Sequence, residues 1–244
     1  MASDHQLKAV VAGVGPRRGL GGALCARFAR EGHHVFVAGR TREKLDAVVD
    51  GIESAGGSAT AVQCDVTHEA SVRDLFDSVE NTGNGKLDLA VYNAGNSTPG
   101  RIREMEADYF EQAWKTLCYG GFLFGREVVR RMGPGTLIYT GASASLRGKA
   151  GYGAFNSGKA ALRTFAQALA KENGPEGLHV AHVVVDGGIA GDKWFGRLGG
   201  PPDEEMLKKF VSLDGLTETY WNLYRQTPRA WSFEVDIRTS LEQW

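Results

Sequence analysis

The chain reads as an α/β fold built on a parallel sheet, and three observations predict it. The first is the stretch from Leu7 to Arg40. It runs from an apolar segment, Ala9 to Val11, through glycines at Gly13, Gly15, Gly19 and Gly21, into an amphipathic segment, Ala23 to Arg30, and on to a second apolar segment, Val35 to Ala38. That is the order and length of one strand–helix–strand unit. The second is Leu87 to Val91, a near-continuous apolar run of the kind a parallel strand needs when both its faces are covered. The third is size: 244 residues with 42% hydrophobic content fill one large domain and are short for two.

The glycine turn carries the first functional signal. Glycines permit positive φ and let backbone amides approach a diphosphate, while the helix behind them offers free N–H groups and a positive dipole end. Dinucleotide binding follows from that arrangement. The spacing Gly15-x-x-x-Gly19-x-Gly21, with Leu20 between the last two glycines, is wider than the common G-x-G-x-x-G. This GxxxGxG turn, placed between a strand and a helix near the N-terminus, resembles the short-chain dehydrogenase/reductase family. The resemblance covers nearly the whole chain. It implies one NAD(P)-binding domain over residues 1–244, a doubly wound Rossmann-type parallel sheet of about seven strands with helices on both faces.

Bulk properties narrow the partners. A formal net charge of −1 with mixed signs gives no basic field for nucleic acid and no polybasic membrane patch. No apolar run reaches the length of a membrane span, and Met1 to Gln6 is polar rather than a leader, so a cytoplasmic protein is expected. Cys25, Cys64 and Cys118 are far apart and odd in number in apolar surroundings, which fits reduced core thiols and no metal site.

Further elements follow in order. Glu43 to Ile52 carries Leu45, Val48, Val49 and Ile52 at helical spacing, with Thr41 placed to cap it. Ala59 to Cys64 reads as a strand ending in Asp65-Val66, where the resemblance implies an adenine contact; Asp65 capping the helix that begins near Ala70 is a compatible reading. The run Leu87 to Val91 ends in Tyr92-Asn93-Ala94-Gly95, similar to the family's NNAG with Tyr for the first Asn. Small residues there let the backbone approach the cofactor ribose, and Asn93 either contacts the cofactor or ties strand ends together. A long helix is predicted from about Asp108 to Arg131. Its Trp114, Leu117, Cys118, Phe122 and Phe124, with Leu162, Phe165 and Leu169 on a later helix, make apolar stripes that the family uses between subunits. A homodimer or homotetramer is the expectation, with ordinary core as the other reading.

Gly135 to Thr140 and His179 to Val185 are the next strands, and Trp231 to Arg238 the last. Asp186-Gly187-Gly188-Ile189 stands where the family has a Pro-Gly turn, so Gly187 and Ile189 fall at the nicotinamide carboxamide, held less rigidly without the proline. Residues 192–228 are irregular, with Trp194, Phe195 and a short helical stretch from Asp203 to Val211. They are a substrate lid over a small-molecule ligand, or a packed arm.

The family's tetrad of Asn, Ser, Tyr and Lys is only partly present. In Tyr-x-x-x-Lys the two side chains share a helix face, so the ammonium lowers the phenol's pKa and binds the ribose, while Ser holds the substrate oxygen. Here Lys159 is present, but Phe155 stands at the Tyr position, Ala142 at the Ser position and Leu117 at the Asn position. Phenylalanine has no proton to give. Tyr152, three residues earlier, and Ser143, adjacent to Ala142, are the substitutes at hand. Tyr152 reaches the site only if Gly151 and Gly153 break the helix; a packed or substrate-facing ring is the alternative. For the cofactor, Gly39 is followed by Arg40 where NAD-preferring relatives place a carboxylate, and Arg17 and Arg18 precede Gly19. Arg18 and Arg40 converging on a 2′-phosphate favour NADP(H). The expected function is an NADP(H)-dependent oxidoreductase acting on a small or hydrophobic carbonyl or alcohol with a non-standard proton donor. The alternatives are a dinucleotide-binding pseudoenzyme that senses or scaffolds, and a binding protein for another ligand.

Overall fold

The structure, a computed structural model, describes residues 6–243. One sheet organises it, with strands β1 (Lys8–Ala12), β2 (His34–Gly39), β3 (Ser58–Gln63), β4 (Leu87–Tyr92), β5 (Gly135–Thr140), β6 (Leu178–Asp186) and, after a two-residue ladder of β7 (Gly188–Ile189) with β8 (Phe210–Val211), the last strand β9 (Glu234–Arg238). The order is β3-β2-β1-β4-β5-β6-β9 and every pairing is parallel. Strand order reverses between β1 and β4, the crevice where open α/β sheets place ligands at their carboxyl ends.

Helices α1 (Leu20–Arg30), α2 (Arg42–Glu53), α3 (Glu69–Asn81), α4 (Ala107–Trp114), α5 (Gly120–Arg131), α6 (Gly153–Asn173), α7 (Asp192–Leu198), α8 (Glu204–Leu207) and α9 (Leu213–Tyr224) complete the chain. Strand residues alternate between two buried clusters, one on each sheet face. The doubly wound α/β fold, as one domain, is what the resemblance implied. Cys25, Cys64 and Cys118 are all buried free thiols. No helix of the described residues is long and apolar enough to cross a membrane.

Three local expectations change. The long helix from Asp108 to Arg131 is broken by a π turn over Lys115–Tyr119 between α4 and α5. Within that turn the Thr116 carbonyl accepts the Tyr92 hydroxyl at 2.6 Å. Residues 192–228 are not uniformly irregular. Within them α9 runs from a Ser212 cap, whose hydroxyl accepts the Gly215 N–H at 3.0 Å, and buries Leu216, Tyr220, Trp221 and Leu223 in the same cluster as Leu24 and Phe28 of α1. The start of α7 touches the glycine turn, where the Arg18 carbonyl accepts the Asp192 N–H. The helical stretch expected over Asp203 to Val211 shrinks to α8, and its end becomes β8. Thr41 occupies the N-cap of α2, but its hydroxyl makes no capping bond.

The predicted interface stripes are partly internal. Phe122 and Phe165 meet edge-to-face at 5.9 Å, and Phe165 meets Tyr139 at 6.1 Å, across α5, α6 and β5. The outward aromatic face lies on α4, where Tyr109, Phe110 and Trp114 are each about two-fifths exposed.

Candidate cofactor and active site

The predicted residues follow the carboxyl ends of β1 to β6, with Tyr152 and Lys159 at the start of α6. Gly13 leaves β1 with φ +88°, and a Cβ there would lie 2.3 Å from the Ala94 backbone. Only glycine lets the turn after β1 touch the strand end of Asn93 and Ala94. Gly15 faces open space, whereas Gly19 and Gly21 abut the backbone of Pro16 and Val14. α1 then starts at Leu20, which is buried, from an N-cap glycine, with no side-chain cap and no acidic residue in its first turn. Its leading N–H groups are left for an anion, so the residues fit the diphosphate of a dinucleotide.

Asn93 is a tie between strand ends. Its Nδ2 donates to the Gly13 carbonyl at 3.1 Å, and its Oδ1 accepts the Thr140 hydroxyl at 3.1 Å. Buried Tyr220 of α9 donates in turn to Thr140 Oγ1 at 2.8 Å. Thr140 and Tyr220 were not singled out from sequence, because nothing local connects residues eighty apart. Asp65 accepts the Thr67 N–H at 3.0 Å and its hydroxyl at 2.8 Å, so it closes the turn before α3 rather than capping the helix, whose N-cap is His68. Partial burial opposes ionisation of Asp65, yet the two Thr67 bonds together with nearby His68 and Arg40 hold the carboxyl below its ordinary value. Val66 is buried with its carbonyl against Gly120.

Lys159 is the most constrained charge of the site. It is buried on α6, its Nζ donates to the Thr140 carbonyl at 2.6 Å, and a Cβ added at Gly95 would lie 3.5 Å from it. Burial pulls its ammonium down to about 8. Leu117, on the π turn, fills the space between Gly95 and Gly158. Ser143 begins a 3₁₀ turn, half-buried, over Ser143–Ser145. Tyr152 is the N-cap of α6: Gly151 has φ +75° and the helix starts only at Gly153, so the break that Tyr152 requires is present. Its ring lies under the Lys149 ammonium at 5.3 Å and its backbone bridges Gly100, seven residues from Lys159.

The arginines disperse. A Cβ at Gly51 would lie 2.8 Å from Arg17 Cζ, so Arg17 lies along α2. Arg18 turns to the start of α7: its carbonyl accepts the Asp192 N–H at 2.8 Å, its Nε is 3.9 Å from Asp192, and its guanidinium covers the Phe195 ring at 5.7 Å. Backbone and aromatic contacts thus hold Arg18 to α7. Arg40 stays exposed at the end of β2. At the other side, Asp186 accepts Arg147 at 3.0 and 3.2 Å. Beside this pair the β7–β8 ladder sets Gly188 against Phe210 and Ile189 against Val211, at the turn where the family's proline is absent.

Among known proteins, the profile described as short chain dehydrogenase matches residues 9–191. The chain belongs to that family. A short-chain dehydrogenase from Rhodopseudomonas palustris superposes with a TM-score of 0.81 at 33% identity, covering 95% of this chain and 98% of that one. A Burkholderia cenocepacia short chain dehydrogenase in complex with NADP superposes at 0.83 with 26% identity, covering 96% and 97%. The short-chain reductase NovJ of Streptomyces niveus is 34% identical over 84% of this chain and 79% of its own length. YuxG of Bacillus subtilis, an uncharacterized oxidoreductase, is 31% identical over 75% of this chain, which spans only 27% of YuxG.

Proposed function

We propose that this member of the short-chain dehydrogenase family is an NADP(H)-dependent oxidoreductase of a small or hydrophobic carbonyl or alcohol, with its proton carried by a group other than residue 155. The observation that carries the reading is the uncapped start of α1 behind an open Gly15, a cradle for a diphosphate. The NADP complex of the B. cenocepacia relative supports the choice of cofactor. Gly15, Gly19, Leu20 and Gly21 would hold the diphosphate, Arg40 the 2′-phosphate, Asp65 and Val66 the adenine side, Asn93, Ala94, Gly95 and Lys159 the ribose, and Gly187 and Ile189 the carboxamide. Bound there, the nicotinamide gives or takes the hydride. Trp194 and Phe210, edge-to-face at 5.7 Å, supply apolar surface at the cleft.

The test is NADPH oxidation over a broad carbonyl panel, with Arg40→Ala alongside. NADPH is expected to bind at least about tenfold tighter than NADH, and Arg40→Ala to remove that preference, since a charge-assisted bond is worth about 1.5–3 kcal/mol. Equal affinity for the two cofactors, or an Arg40→Ala variant that keeps the preference, overturns the NADP assignment. No turnover anywhere in the panel overturns the enzyme reading. The exposed aromatics of α4 support a homodimer or homotetramer. Light scattering at micromolar concentration should show two or four chains, and a monomer rejects the seam.

A further inference from the structure

We propose that Ser145, His182 and Glu234 form the proton channel of this site, taking the place of the phenol that Phe155 lacks; the proposal rests on the oxidoreductase reading above. β6 is mostly apolar between His179 and Asp186 near its two ends, and His182 in its middle is completely buried. Burial of a polar ring favours a hydrogen bond at each nitrogen, and His182 has both. Its Nδ1 lies 3.0 Å from Glu234 Oε2 and its Nε2 lies 3.3 Å from Ser145 Oγ.

The polarity of this chain of groups is set from its outer end. Glu234 pairs in register with His182 on the neighbouring strand β9, and its side chain is one-quarter exposed. Arg163 of α6 clamps both its oxygens at 2.5 and 2.9 Å and holds the carboxyl below its ordinary value against the cost of partial burial. An ionised Glu234 accepts the Nδ1 proton, which leaves the Nε2 lone pair for the Ser145 hydroxyl. The Ala142 N–H steadies the same Ser145 oxygen at 3.3 Å. Gly141 makes the approach feasible, because a Cβ there would lie 2.2 Å from His182 Nε2.

The chain therefore starts in the turn that carries Ala142, the family's Ser position, and ends at solvent beside β9. The groups facing the imidazole are Ser145 from the turn, Glu234 from β9, and Lys159 and Arg163 from α6; Tyr139, its neighbour on β5, has its hydroxyl tied to the Gly121 carbonyl at 3.1 Å. Burial pushes the imidazole down to about 4, beyond the upward pull of Glu234, so it is a neutral acceptor at working pH.

In alcohol oxidation the substrate O–H proton passes to Ser145 Oγ, directly or through one water, as Ser145's own proton passes to His182 Nε2. The freed O–H electron pair forms the C=O bond while the carbinol hydrogen leaves with its pair to the oxidised nicotinamide. The imidazolium, paired with the Glu234 carboxylate, then returns its Nε2 proton through Ser145 Oγ to water that enters as the carbonyl product leaves, which restores the Nδ1–H ring for the next turnover. Carbonyl reduction is the reverse. This is the logic of a serine–histidine–carboxylate relay applied to proton transfer, with no covalent intermediate.

Glu234→Gln separates a relay from a packing role. The amide keeps the shape and hydrogen-bonding capacity toward Arg163 and His182, but not the charge that fixes the Nδ1–H tautomer. With an alcohol that the wild type oxidises, Glu234→Gln and Ser145→Ala should each lower kcat at least about 100-fold with NADPH Kd within about twofold, and their rates should rise with pH where the wild type is level from about pH 6 to 9. Independently of activity, ¹⁵N NMR of the histidine rings should show His182 neutral and protonated at Nδ1 in the wild type, with that signal displaced in Glu234→Gln. Wild-type rates and pH profile in either variant, or an Nε2–H tautomer in the wild type, overturn the channel alone. A wild type that turns over nothing sinks the oxidoreductase reading and the channel with it.

Discussion

Lys159→Met is expected to make the protein more stable at pH 7 while weakening NADPH binding at least about tenfold. The ammonium is buried and donates one strong bond, to the Thr140 carbonyl. Its depression from 10.5 to about 8 corresponds to a burial cost for the charged form on the order of 3 kcal/mol. Methionine has similar length and no charge, so the loss of one hydrogen bond, about 1 kcal/mol, leaves a net gain of about 2 kcal/mol. For a chain of this size that is about 4–8 °C in Tm. The pH dependence follows from the sign of the shift. Between about pH 8 and 10.5 the unfolded chain binds the lysine proton and the folded one has released it, so wild-type stability rises with pH there. The penalty is full below about pH 8, and the two proteins should converge near pH 10. Thermal melts from pH 7 to 10 decide it: a variant less stable at pH 7, or a gap that does not close, rejects the account. The weaker binding reads the other side of the bargain, a site kept at the expense of stability.

What the sequence makes legible here is local. Gly13 to Gly21 can be read because the need for positive φ, close approach and an uncapped helix start all lie within one short turn. β4 and β6 can be read because strands buried on both faces are mostly apolar, with Asp88 the one charged residue of β4 and His179, His182 and Asp186 the polar residues of β6. The orientation of Arg17 and Arg18 cannot be read, since it depends on Gly51 of α2 and on Asp192 and Phe195 of α7, which no spacing brings beside Gly19. α9 is hidden by Gly215, Thr217, Glu218 and Thr219, although Leu216, Tyr220 and Leu223 keep helical spacing and Ser212 is a cap signal. The π turn has no sequence signature beyond Gly120 and Gly121, whose missing side chains admit Tyr92 and Leu162. His182 lies in an apolar run where a histidine reads simply as strand, and its partners stand 37 and 52 positions away. The departures at Phe155, Ala142 and Leu117 are plain in the sequence, but what stands in for them is a matter of tertiary contact.

The largest loss of stability is expected from Gly13→Ala, with Gly15→Ala as its control. Gly13 has φ +88°, where an alanine costs about 1–2 kcal/mol in backbone strain alone. Its new Cβ would also lie 2.3 Å from both Cα and N of Ala94 and 2.6 Å from the Asn93 carbonyl carbon. These are backbone atoms, so no rotamer can yield; the turn after β1 and the end of β4 must separate. That separation strains the Asn93 bond to the Gly13 carbonyl and, beyond it, the link through Thr140 to Tyr220. Overpacking of this kind adds about 1–3 kcal/mol, for a total of about 4 kcal/mol, or about 8–16 °C in Tm. Gly15 presents open space and no positive φ, so alanine there should leave Tm within about 2 °C. If the turn cradles a diphosphate, that same methyl group stands where the anion must approach, and NADPH affinity should fall at least about tenfold with the fold intact. Thermal melts and NADPH titration of the two variants separate the roles. A Gly13→Ala protein within about 1 kcal/mol of wild type refutes the contact at the switch point, and a Gly15→Ala protein that binds NADPH as the wild type does removes the cradle.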